Sequence, residues 1–307
     1  MNYTLHQLSI FLKIVETKNI TKAADELNLT QPAVSIQLKN FQDQFEIPLT
    51  EIIGKQLFVT DFGNEIATVA KEIFEKTEDI KNKTNSYKGL ITGKLKIASV
   101  STGKYVIPYF LSKFINENPG IELILDVTNK SKVIDSIEKN EVDFGFVSII
   151  PENLLVFNEE LLLNKIFLVC NNDIYNNLKK LKLKDLENLP IIFREEGSGT
   201  RFKMERFFEA NKIKITKRLE LTSNEAVKQA VIAGLGISIM PLIGIKNEIL
   251  NGDLKIINLK QLPLITNWNL IWNSHKSLSP VTKAFLEHLK QNKSLIIESN
   301  FQWFNEF

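Results

Sequence analysis

The 307-residue sequence predicts a chain built in two styles, an all-α module with one long linker helix in its first third and an α/β region of two similar lobes after it. Three observations predict this. Apolar residues recur at helical spacing through residues 5–45 and again through 65–87. From residue 93 onward, short apolar runs alternate with amphipathic stretches, and the alternation is run through twice. Gly and Pro clusters punctuate the periods and set the expected domains at 1–62, 63–92 and 93–307.

Residues 5–16 place Leu5, Leu8, Phe11, Leu12 and Val15 on one helical face. Thr21 is read as the cap of a second helix that buries Ala23, Ala24 and Leu27, the alanines being small enough for another helix to come close. Asn28 and Leu29 make a tight break. Thr30 caps a third helix, QPAVSIQLKNFQDQF, in which Pro32 fits the first turn and Val34, Leu38, Phe41 and Phe45 form the buried stripe. Gln31, Pro32, Ser35, Ile36 and Lys39 then face outward. Two helices joined by a short turn, the second presenting short polar side chains at its start, form a helix-turn-helix suited to the major groove of double-stranded DNA. A plain three-helix bundle would bury the same stripes.

The segment NITKAADELNLTQPAVSIQLKNF resembles the DNA-binding region of LysR-type transcriptional regulators, and IPLTEIIGKQLFVTDFG resembles the wing that follows it. The resemblance extends over nearly the whole chain. It implies a winged helix-turn-helix in which Gln31, Pro32 and Ser35 meet bases or nearby backbone and Lys55 is the basic wing residue, with Thr30, Ile36 and Lys39 completing the candidate DNA face. The sequence departs from the family pattern at three places: Ile36 stands at a frequent Arg, Thr50 at a usual Phe and Ile52 at another frequent Arg. Residues 1–60 hold five Lys and no Arg against six Asp plus Glu, a formal charge of −1. Attraction to phosphate then rests on the placement of Lys22, Lys39 and Lys55 and on helix N-terminal N–H groups. One copy binds weakly, so a homodimer or homotetramer is expected.

Between Gly63 and Gly89, the residues Ile66, Val69, Ala70, Ile73, Phe74 and Ile80 recur at helical spacing among Lys and Glu. This stripe has no evident partner in its own chain, and the same helix of a second subunit would cover it; docking on the chain's own N-terminal module is the other reading. The resemblance favours pairing of linker helices.

After Gly93, KLKIAS, IELILDV and VDFGFVS read as strands, with helices at 104–117 and 132–140. A second round follows: IFLVC, LPIIF, a helix over 200–211, RLELT, a helix over 225–233, and GISIMP. Alternation of this kind implies parallel sheets and two Rossmann-like lobes, about 94–163 with 268–307 and about 164–267, joined by crossovers near 161–166 and 263–269. NWNLIWN and a helix over 280–291 return to the first lobe. The resemblance implies that this is an effector domain, related in fold to periplasmic solute-binding proteins. The tail SLIIESNFQWFNEF matches nothing assignable, and its four aromatics are read as packing or as an interaction segment.

Ligands of open parallel sheets collect at the strands' carboxyl ends, against helix N-termini. Ser101, Thr102, Thr128, Asn129 and Ser148 fall there in the first lobe, and Ser223 and Asn224 at a helix start in the second. The chain has 34 Lys and four Arg, and all four Arg fall within 25 residues, at Arg194, Arg201, Arg206 and Arg218. A planar guanidinium fork suits carboxylate or phosphate. In REEGSGTR, Arg194 and Arg201 flank Gly197, Ser198, Gly199 and Thr200, whose backbone N–H groups can approach an oxyanion. The alternative is that the arginines pair with Glu195, Glu196 or Glu205. REEGSGTR and TSNEAVKQAVIAGLGIS most resemble the carbon-fixation regulator (CbbR-like) branch, which implies a small anionic metabolite as effector.

Competing functions find little in the residues. His6, His275 and His288 are dispersed and do not cluster with Cys170, and no nucleophile elbow, dinucleotide fingerprint or P-loop occurs, so neither an α/β enzyme nor a cofactor or metal is expected. A transport-type solute-binding protein would need an export signal; LSIFLKIV is interrupted by Lys13, with no basic stretch before it and no small-residue cleavage site after. No run reaches the roughly eighteen apolar residues of a membrane span, and a cytoplasmic protein is expected. Net charge of +2 argues against general polyanion binding. A single cysteine excludes an internal disulfide, and Cys170 in IFLVC is read as a buried structural thiol.

Overall fold

The computed structural model describes residues 3–54, 56–87, 90–177 and 181–307, with backbone alone for 75, 78–79, 81–83 and 85–87. The chain falls into two compact units, Met1–Lys88 and Gly89–Phe307.

The first unit contains α1 (Leu5–Thr17), α2 (Ile20–Leu27), α3 (Gln31–Gln42), the hairpin β1 (Thr50–Ile53) and β2 (Gln56–Val59), and α4 (Asp61–Tyr87). Thr30 caps α3 as expected, accepting from the Ala33 N–H at 3.4 Å. The cap of α2 is Asn19 rather than Thr21, its side chain accepting from the Lys22 N–H at 3.0 Å. Asn28 ends α2 with φ +54°, a left-handed conformation that Asn adopts more readily than most residues. In α1 the buried set is Leu8, Ile10, Phe11 and Ile14, with Leu12 and Val15 at its margin and Leu5 exposed. The face is wider than a single stripe because α1 packs against α2, α3 and α4 together.

The helix α4 corrects the reading of its stripe. Ala67 and Ala70 are buried in the core of this unit, and Ile66, Ile73 and Phe74 pack against it. Alanines let α1 come close, which supplies the partner that spacing alone did not reveal. Val69 and Ile80 remain outside, 52% and 68% exposed.

The second unit runs β3 (Gly93–Val100), α5 (Ile107–Glu117), β4 (Ile121–Thr128), α6 (Lys130–Glu138), β5 (Phe144–Val147), β6 (Val156–Cys170), α7 (Asn172–Asn177), β7 (Pro190–Arg194) and α8 (Gly199–Ala210). It continues through β8 (Lys217–Leu221), α9 (Asn224–Ile232), β9 (Ser238–Pro241), α10 (Lys246–Asn251), β10 (Lys255–Ile256), β11 (Leu264–Asn273) and α11 (Pro280–Phe301). Within the lobes β3 pairs parallel with β4 and β5, and β7 with β8, while the returning end of β11 lies antiparallel to β5. The crossovers depart from that pattern. β6 and β11 run antiparallel through both connections, from Leu264 opposite Ile166 to Asn273 opposite Val156, and β9 and β10 add antiparallel to β6. The resulting seven-stranded sheet has the order β10-β6-β11-β5-β3-β4, with β9 also on β6.

The second lobe keeps a core of its own, in which Phe193, Met204, Phe207 and Phe208 pack with Cys170. Burial pushes the Cys170 thiol up to about 11, so it stays protonated and inert. The tail packs: α11 continues ten residues past the expected end at 291, and Phe301 and Phe304 are buried in the large core. Lys165 Nζ fastens the tail to the crossover, donating to the backbone oxygens of Phe304 at 2.8 Å and Phe307 at 2.6 Å. No helix among the described residues is long and apolar enough to cross a membrane.

Candidate functional site

The first candidate surface is the start of α3. Gln31, Pro32, Ile36 and Lys39 are exposed and Ser35 is half-buried, while Val34, Leu38 and Phe41 hold the helix to its core. Gln31, Ser35 and Lys39 make no side-chain hydrogen bond or ion pair among the described residues, so their polar groups are free for a partner. Thr30 spends its hydroxyl as the cap. Thr50, standing where Phe is usual, is buried by a polar route instead: its Oγ1 and N–H both donate to Gln42 Oε1, at 2.8 and 3.0 Å, and tie β1 to the end of α3. Ile52 is exposed, and Gly54 turns the hairpin at φ +57°, a conformation that suits glycine. Lys55 lies outside the described residues.

The second candidate is a narrow cleft between the lobes of the second unit, nearly closed at about 10 Å³, so a ligand larger than a water enters it only as the lobes part. Ser101 and Thr102 enter it from the end of β3, Asn129 and Lys130 from the start of α6, and Ser148 from the end of β5. Opposite them stand Arg194 at the end of β7 and Ser198, Gly199 and Thr200 at the start of α8. The two helix starts differ. Asn129 Oδ1 caps α6 by accepting from the Lys132 N–H at 3.0 Å, whereas no side chain caps α8. The first-turn N–H groups of α8 therefore retain donor capacity for a ligand, with the positive end of the helix dipole behind them. The lobes also touch directly: the Ser131 N–H donates to the Gly197 carbonyl at 3.3 Å. Gly197 has φ +82°, a conformation that strains any other residue, and a Cβ there would crowd Ser131 Oγ at 2.8 Å.

Other expected residues sit elsewhere. Arg201 does not line the cleft. Its Nε donates to Glu205 Oε1 at 2.9 Å, and its Nη1 donates to Glu220 Oε2 at 2.9 Å and to the Arg194 carbonyl at 3.2 Å. Arg194 does line it, 5% exposed, but grips Glu195 with two bonds of 2.8 and 2.9 Å. The alternative pairing with Glu195 and Glu205 is thus realised for both arginines, and Arg201 supports the Arg194 backbone from behind. Arg218 joins the same network through Glu205 at 3.1 Å and covers the Phe193 ring at 4.2 Å, and Arg206 stacks on Phe202. Thr128, Gly197, Ser223 and Asn224 are likewise not part of the lining: Ser223 caps α9 through the Ala226 N–H at 3.0 Å, and Asn224 is 2% exposed behind that cap.

Lys130 is the residue that sequence reasoning missed. Its Nζ lies 5.0 Å from the Phe202 ring centroid in the opposite lobe, and it has no ion-pair partner among the described residues. Burial holds its ammonium below the ordinary lysine range; Glu152 opposes that shift and Lys203 adds to it. Among 34 lysines nothing in the sequence marked this one, beyond its place beside Asn129 at a helix start.

Comparison with known proteins extends this picture. Residues 5–64 match the family described as bacterial regulatory helix-turn-helix protein, lysR family, and residues 88–294 match the LysR substrate binding domain. The HTH-type transcriptional activator CmpR of Synechocystis sp. is 37% identical over 94% of this chain and 95% of its own length. A RuBisCO operon transcriptional regulator of Acidithiobacillus ferrooxidans is 35% identical over 93% of each chain. The solved structure of the Synechocystis PCC6803 CcmR regulatory domain in complex with 2-PG is 33% identical, with a TM-score of 0.62, and covers 66% of this chain and 98% of that one.

Proposed function

Because the chain belongs to the LysR family of bacterial regulatory helix-turn-helix proteins, we propose that it is a transcriptional regulator that reads promoter DNA with α3 and its wing and alters its hold on that DNA when a small anion enters the cleft. One observation carries the ligand class. The start of α8 has no side-chain cap and opens onto a cleft that also holds Arg194 and the unpaired Lys130. An anion there is met by N–H donors and a helix dipole, and it offsets the burial of the Lys130 ammonium. Ser101, Thr102 and Ser148 supply hydroxyl donors from the facing lobe. The solved relative in complex with 2-PG supports the same class.

On DNA, Gln31 forms a paired hydrogen bond with an adenine edge, Ser35 adds a contact one turn later, and Lys39 with Lys55 of the wing meets phosphate. The weak charge of the module makes a homodimer or homotetramer part of the mechanism, and Val69 and Ile80 of α4 offer the apolar surface that its own unit leaves open. The site is one of binding and not of catalysis, and the protein acts in the cytoplasm, where promoters are. A ligand that touches both lobes favours one arrangement of them, and that difference in affinity is what shifts the regulator between states. The test is a thermal-shift screen of phosphorylated sugars, carboxylates, inorganic oxyanions and 2-PG, followed by DNA mobility shift with each hit. An anion that stabilises the protein and changes its DNA complex is expected. Stabilisation only by neutral ligands overturns the ligand class.

A further inference from the structure

A second cleft in the effector unit shares no lining residue with the first and holds about 460 Å³. Its walls come from the turn before α5, the start of α5, α10 and the end of α11. Cations stand beside flat rings here: Lys104 Nζ is 5.0 Å from the Tyr105 centroid, and Lys246 Nζ is 4.3 Å from that of Trp303. Neither lysine is ion-paired among the described residues. Lys228, also in the wall, is spoken for by Glu225 at 3.0 Å and Glu248 at 2.7 Å.

An unsatisfied amide lies beneath one wall of this cleft. Asn224 Nδ2 is buried with no hydrogen-bond partner, a costly state for an amide. It lies behind Gly244, which lines the cleft; a Cβ on Gly244 would come within 2.6 Å of that nitrogen and 3.5 Å of Tyr105 Cε2. The Asn224 amide thus fills the space that a side chain at 244 would take, and Gly244 keeps that stretch of wall bare beside Tyr105.

We propose that this cleft is a second ligand site, taking a small organic anion that carries an aromatic ring. The ring lies against the Tyr105, Tyr109 and Trp303 side and the anion meets Lys104 and Lys246, an arrangement in which each ammonium already stands beside a ring face. The site stands independently of whatever fills the first cleft.

Calorimetric titration of the full chain with phenyl phosphate, and with inorganic phosphate as its ring-free counterpart, tests this. Phenyl phosphate is expected to bind the more tightly. Asn247→Asp adds a carboxylate at the exposed rim without touching the core and weakens phenyl phosphate about tenfold, the effect of about 1.4 kcal/mol of repulsion. Gln291→Asp, the same charge change at an exposed position of α11 outside both clefts, leaves that binding unchanged. Absence of binding, equal binding of inorganic phosphate, or undiminished binding to Asn247→Asp overturns the proposal. A loss on Gln291→Asp as large as on Asn247→Asp reads only overall charge and overturns it as well.

Discussion

On α3, Gln31, Ser35 and Lys39 carry polar groups that no neighbour among the described residues uses, whereas Arg194 in the effector cleft is bonded twice to Glu195, and Arg201 behind it to two glutamates and the Arg194 carbonyl. The difference follows from the partner each region meets. A recognition helix serves a large external surface, so its side chains stay free and its stability comes from the opposite face. A cleft withdraws charge from water in the absence of ligand, so a guanidinium as buried as that of Arg194 is held by a carboxylate, while the less buried Lys130 ammonium is left for the ligand. Substitution on α3 should therefore change binding and spare folding, and substitution in the cleft should touch both.

Arg194→Ala is the most damaging way to probe this contrast, because it strands the Glu195 carboxylate in a half-buried place. A loss of about 3 kcal/mol or more is expected in urea unfolding. Adding Glu195→Ala should restore most of that stability without restoring the anion response; a double variant as unstable as the single one would show that the pair does not set the cost.

The linker helix lies between the two extremes. Charging Ile66 or Ile73 confuses dissociation with unfolding, since both pack on the unit's own core. Val69→Glu with Ile80→Glu removes only exposed apolar surface, and at roughly 1.5–3 kcal/mol per buried side chain it should release monomers in sedimentation velocity. Unchanged oligomers would move the interface off α4.

On the free side of the contrast, Gln31→Ala should leave the unfolding midpoint unaltered and remove roughly 1–3 kcal/mol of discrimination at one base position, read with single-base variants of an operator selected from random DNA. Uniform weakening across all sequences would contradict base reading by Gln31. The smallest effect belongs to Arg201→Lys. Its glutamate partners are each nearly half exposed, so about 0–1 kcal/mol of stability and little of the anion response should be lost. A response abolished by this change would return Arg201 to the cleft.

Features set by local chemistry were legible in the sequence. Thr30, Pro32 and the Val34, Leu38, Phe41 stripe fixed α3, and the strand-end positions of Ser101, Thr102, Asn129, Ser148 and Arg194 converged on one cleft. What depended on distant neighbours was not legible. Asn19 and Thr21 are both competent caps two residues apart, and only the path of the chain chooses. Residues 156–164 read as mixed polar and apolar because their partner, β11, lies about a hundred residues away. Glu205 follows Arg201 by one helical turn and could be anticipated, whereas Glu220 arrives through the parallel pairing of β7 and β8, which sets it opposite Phe193. Lys130 needed Phe202 of the other lobe to stand out.

Whether an anion in the first cleft changes how the regulator holds DNA is read most directly at Lys130, a cation with no ion-pair partner among the described residues, whose removal strands no other charge. Footprints of the selected operator are compared with and without the tightest-binding anion of the screen, for the parent and for Lys130→Met. A changed footprint is expected for the parent, none for Lys130→Met at the same anion concentration, and identical footprints for the two proteins without anion. A Lys130→Met footprint that responds to the anion as the parent's does would contradict that role for the cleft.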